Sequence, residues 1–69
     1  MKVSARNKLK GTVVQIKKGA VTAQVKVDIG GGNAIPSTVR LDAVDELGLR
    51  EGTEAWVLIK ASEVILAVD

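Results

Sequence analysis

From Val21 to Ile29 every second residue is apolar. Val21, Ala23, Val25, Val27 and Ile29 alternate with Thr22, Gln24, Lys26 and Asp28, the period-two pattern of a strand with one face buried and one wet. The flanking segments read as strands too. Leu9 to Ile16 places Leu9, Gly11 and Val13 on one face, and a glycine inside such a pattern implies a bend or a close backbone approach. Lys17-Lys18-Gly19 supplies the turn between the two. Gly30-Gly31-Gly32-Asn33 closes the next hairpin; it sits between strands and lacks the Gly-Lys-Ser/Thr ending of a phosphate-binding loop.

Ile35 to Leu41 predicts a third strand with Ile35, Val39 and Leu41 on a shared face. Pro36 cannot donate to a ladder, which assigns that end to an edge or a bulge. Asp42 to Gly48 predicts a helix of one to two turns, with Asp42 as N-cap, acids in the first turn and a terminating glycine. After a turn at Glu51-Gly52, Ala55 to Ile59 gives a fourth strand that is apolar on both faces, with Ala55, Val57 and Ile59 on one and Trp56 and Leu58 on the other. Lys60 to Glu63 breaks the pattern, and Val64 to Val68 reads as a fifth strand. Five strands with one short helix between the third and fourth is the order of an OB-like barrel. The expectation is a single all-β domain over residues 1–69.

A 69-residue chain is small enough to need a staple: disulfides, a metal or association with other chains. It has no Cys and no His, which excludes disulfides and the usual zinc sites. A doubly apolar fourth strand in so small a domain points the same way, to self-association. No stretch approaches the length of a membrane span, and Met1-Lys2-Val3 is not followed by the apolar core of a signal peptide. The expected location is cytoplasmic, with no membrane partner.

Charge is divided unevenly. Lys2, Arg6, Lys8, Lys10, Lys17, Lys18 and Lys26 precede the first acid, Asp28, while Arg40, Arg50 and Lys60 share the remainder with all eight acids, so the net +2 splits into +7 and −5. A basic third of this kind is either a solvated face, a surface complementary to the acidic part of a neighbouring copy, or an anion site. Ser4-Ala5-Arg6-Asn7-Lys8 concentrates hydroxyl, guanidinium, carboxamide and ammonium donors, which suits a ligand whose oxygens only accept. The glycine turn Lys17 to Thr22 can present successive amides as an anion nest, and the break at Lys60-Ala61-Ser62 sets amides beside an ammonium and a hydroxyl.

Catalysis has little to work with: no His or Cys, and no nucleophile–base pair. An OB-like barrel with a basic face could instead bind single-stranded nucleic acid. That mode combines charge with aromatic stacking platforms, and the chain has no Phe, no Tyr and only Trp56. Nucleic acid therefore ranks below a small anion, and a pure interaction module remains a third alternative.

Ser4-Ala5-Arg6-Asn7 followed by Leu9-x-Gly11, then Leu41-Asp42-x-Val44-x-Glu46-Leu47-Gly48 and Glu63-Val64-Ile65-Leu66-Ala67, resembles the molbindins, the Mop-type molybdenum-pterin-binding proteins, over nearly the whole chain. The resemblance implies an OB-like fold assembled as a homohexamer, a trimer of dimers with strands exchanged between subunits. It implies molybdate, or tungstate, as ligand, no organic cofactor and no chemistry performed on the anion. It assigns an interfacial oxyanion site to Ser4, Ala5, Arg6, Lys60, Ala61 and Ser62, and a second site at the glycine turn to Gly19, Ala20, Val21 and Thr22. Trp56 and Arg40 depart from the smaller or shorter residues usual in that family.

Overall fold

A computed structural model describes residues 1–69 as four antiparallel strands and one short helix: β1 (Asn7–Lys18), β2 (Thr22–Gly30), β3 (Asn33–Arg40), α1 (Leu41–Glu46) and β4 (Glu54–Ile59), followed by a single 3-10 turn at Ala61–Glu63. The sheet order is β3-β2-β1-β4. The alternating segment is the central β2, and its inward residues Ala23, Val25 and Val27 are buried with Val13 of β1 and Val44 of α1.

β1 runs longer than expected and changes face part-way. Val13 pairs with Val27 and Gln15 with Lys26, so Val14 is an extra residue in the ladder. Such a bulge shifts the alternation by one position. Val13 points inward before it and Ile16 does so after it, opposite Val25. The bulge falls where β4 gives out: Val13 N–H donates to Thr53 O and Gly52 N–H to Val13 O, both at 2.8 Å. Gly11 is the close approach its position suggested. A Cβ there would strike the Asp28 carbonyl oxygen and sit 2.7 Å from Val27 Cγ1.

β3 is an edge strand, which accommodates Pro36 opposite Lys26. The helix begins at Leu41, two residues before the start that an Asp42 N-cap implies. Arg40, not Asp42, occupies the N-cap position and makes no side-chain cap bond; Asp42 lies in the first turn, 3.2 Å from Arg40 Nε. The helix ends as expected. Gly48 takes φ 64°, and Gly48 N–H to Asp45 O with Leu49 N–H to Val44 O completes a Schellman motif.

The expected fifth strand is not formed within the chain. Val64 N–H reaches Ala61 O, but residues 65–69 make no backbone hydrogen bond and neither do residues 1–6. The sheet stays open between β3 and β4, where an apolar groove of about 180 Å³ is lined by Val39, Leu49, Ala55, Val57 and Leu58 among others. Only five side chains are buried, while Trp56, Leu58, Ile65, Leu66 and Val68 are 49%, 42%, 92%, 88% and 97% exposed. The chain exposes 5555 Å², against about 4,100 Å² for a compact monomer of its mass. Its radius of gyration is 12.8 Å, where about 11 Å is usual for this length. No helix is long and apolar enough to cross a membrane.

Candidate functional site

β1 starts at Asn7 and β4 stops at Ile59, and the two residues face each other as the last rung of their ladder. Ser4-Ala5-Arg6 and Lys60-Ala61-Ser62 therefore leave the sheet at the same end. Asn7 Nδ2 reinforces the junction by donating to Ile59 O at 3.2 Å. Val3, Ser4, Ala5, Arg6 and Lys8 line an open recess of about 450 Å³. The backbone N–H groups of Ser4, Ala5 and Arg6 have no backbone acceptor in the chain. Beyond Ile59 the chain turns at Lys60 (φ −62°, ψ 134°), and Glu63 N–H closes the 3-10 turn on Lys60 O at 2.9 Å. The first amides of such a turn have no carbonyl within it to donate to.

The glycine turn lies at the other end of β1. Gly19 N–H donates to Thr22 O at 2.8 Å, and Leu41 N–H donates to Val21 O at 3.1 Å. Gly19 thus spends its amide on the turn itself, whereas the Ala20 and Val21 amides have no backbone partner. Lys17, Lys18, Gly19, Thr22 and Gln24 line a second recess of about 230 Å³. β1 has 12 residues, so at about 3.3 Å per residue the two recesses sit roughly 35 Å apart in one chain. The Ser4–Arg6 and Lys60–Ser62 segments leave the same end of the β1–β4 ladder, although Lys60, Ala61 and Ser62 do not line the Ser4–Arg6 recess, and the Gly19–Thr22 turn lies at the other end of β1.

Both recesses are rich in positive charge that no carboxylate answers. The ion pairs are Lys10–Glu54 at 3.7 Å and Arg40–Asp42 at 3.2 Å, which leaves Arg6, Lys8, Lys17, Lys18 and Lys60 unpaired. No cluster of His, Cys, Asp or Glu is arranged to hold a cation. Donors in excess of acceptors can bind and orient an anion. Sequence reasoning missed Asn7 as a tie between strands and Gln24 in the second recess, while Lys8, already counted among the N-terminal donors, lines the first. The alternation had already turned Gln24 outward, but only the fold shows that its carboxamide donates to Thr38 Oγ1 at 2.8 Å beside the turn.

The TOBE domain model matches residues 3–66. The chain is 56% identical, over all 69 residues of both chains, to a protein described as a probable molybdenum-pterin-binding protein of Haemophilus influenzae. The chain is a molbindin of the TOBE-domain family. Among solved structures, MopII from Clostridium pasteurianum superposes on this molbindin with a TM-score of 0.90 at 49% identity, covering 97% of this chain and 100% of that one. ModG, described as a cytoplasmic molybdate-binding protein and solved with molybdate bound, superposes with a TM-score of 0.94 at 51% identity; it covers all of this chain, which spans 49% of ModG. The names of these relatives describe binding rather than catalysis. Against that family background, Trp56 stays on the outer face of the molbindin sheet with Lys10 Nζ 5.9 Å above its ring.

Proposed function

We propose that this molbindin binds molybdate, and tungstate as a near-isosteric dianion, for storage, buffering or delivery in the cytoplasm without transforming it. The observation that carries the reading is the Asn7–Ile59 rung, which gathers the two donor segments at one end of the sheet. In this reading Arg6 and Lys60 supply charge, Ser4 and Ser62 supply directed hydrogen bonds, and the peptides around Ala5 and Ala61 complete the interfacial site. Gly19 shapes the second site, where the free Ala20 and Val21 amides and Thr22 hold the anion. The exposed apolar surface of β4 and of residues 64–68 supports assembly into a hexamer, a trimer of dimers in which terminal strands are exchanged and fill the open groove. No organic cofactor takes part.

Calorimetric titration tests the ligand. Molybdate and tungstate should bind and raise the melting temperature, since a ligand specific for the folded assembly stabilises it by mass action. Phosphate should compete poorly, because near neutral pH it is partly protonated and its O–H meets a site made of donors. Short single-stranded DNA should bind weakly and be lost as salt rises. Equal affinity for phosphate, or tight salt-resistant DNA binding, would overturn the assignment.

A further inference from the structure

Asn7 lies within the donor-rich segment, yet its side chain is turned to the protein rather than to solvent. Its carboxamide reaches Ile59 O at 3.2 Å across a sequence separation of 52 residues, in a half-buried setting. A carbonyl can only accept, so the nitrogen is the end that faces it. The Ile59 carbonyl and the Lys60 N–H belong to one planar trans peptide and point in opposite directions. Holding that carbonyl against β1 aims the Lys60 N–H away from β1, toward the free edge of β4. The Lys60 N–H has no backbone acceptor in the chain, and β4 has no strand on that side.

The geometry points to Asn7 as a positioning residue for the oxyanion site: by fixing the Ile59–Lys60 peptide it sets the direction in which the Lys60 turn offers its donors. It acts through the peptide rather than by touching the ligand. The ladder already turns the Ile59 carbonyl toward β1 at this last rung, and the carboxamide adds a second donor to the same oxygen where β4 ends and Lys60 has the dihedrals of a departing chain. Without the carboxamide only the terminal rung of the ladder holds this peptide, and the ends of ladders are where a sheet frays. The inference rests on the proposed function, since it concerns the same site.

The test is molybdate titration of the parent, Asn7→Ala, Asn7→Asp and Asn7→Gln, with each variant first shown to keep the parent's assembly mass. Asn7→Ala should weaken the Lys60 class of sites about two- to tenfold, the range of one lost neutral hydrogen bond, and leave the glycine-turn class unchanged. Asn7→Asp should weaken the Lys60 class further, because a carboxylate cannot donate to a carbonyl and adds like charge beside the anion. Asn7→Gln, which keeps the donor on a longer arm, should recover most of the loss. On the parent, nuclear magnetic resonance should show a scalar coupling from the Asn7 carboxamide nitrogen to the Ile59 carbonyl carbon, with and without molybdate. Equal binding by parent and Asn7→Ala, uniform weakening of both classes, or absence of that coupling would overturn the role. A parent that binds no molybdate would instead defeat the functional reading itself.

Discussion

The two ends of β1 are built in different ways. At the Asn7 end, the donor segments come from opposite ends of the described chain and meet only because β1 pairs with β4 through six consecutive rungs, Asn7–Ile59 to Thr12–Glu54. At the Lys18 end, three residues join β1 to β2 and the donors are neighbours in sequence. In the proposed reading, one site depends on the whole sheet and on side-chain charge, and the other on a local turn and on free amides. A long-range site can be lost through its scaffold or through a single side chain. A backbone site is insensitive to most side-chain changes and vulnerable wherever an N–H is removed.

The largest effect should come from breaking the scaffold that both ends share. Gly11→Val places side-chain atoms against the Asp28 carbonyl and Val27, an overpacking that should cost about 3 kcal/mol or more and lower the melting temperature of apo and loaded protein alike. A calorimetric scan checks it, and an unchanged transition would mean that β1 and β2 do not approach as closely as described. Ala20→Pro should come next. Proline removes an amide that no carbonyl in the chain uses, so titration should show the glycine-turn class gone and the Lys60 class intact. Lys60→Ala should do the converse, weakening its class about tenfold or more through loss of a charge-assisted hydrogen bond. Thr22→Ala should be the smallest, with less than about a threefold loss, since a backbone site keeps its amides when a hydroxyl is removed. A large loss from Thr22→Ala would make the turn a side-chain site and erase the contrast.

Much of the sheet was legible because burial on one face leaves a period-two trace. The Val21–Ile29 alternation located β2, Pro36 marked an edge strand, and Gly48 marked the helix stop. The face change in β1 was not legible, since Val13-Val14-Gln15-Ile16 gives no sign of which residue the ladder skips; that is decided by where the Gly52-Thr53 turn docks. The helix start was misplaced for a related reason. Asp42 has the composition of a cap, but the chain enters the helix at Leu41, whose side chain packs against the core. Val64 to Val68 has the composition of a strand and no partner in its own chain, because pairing is a property of neighbours and not of sequence. The donor-rich segments proposed as sites stood out by composition, whereas the placing of Ser4–Arg6 and Lys60–Ser62 at one end of the sheet followed only from the β1–β4 register.

The central claim is that this chain completes itself by association and holds oxyanions in the result. Native mass spectrometry with and without molybdate tests both parts together. Six chains of 7.2 kDa should appear as a closed assembly of about 43 kDa, gaining mass in discrete increments of bound molybdate. A folded 7.2 kDa monomer at micromolar concentration that takes up no molybdate would contradict the account.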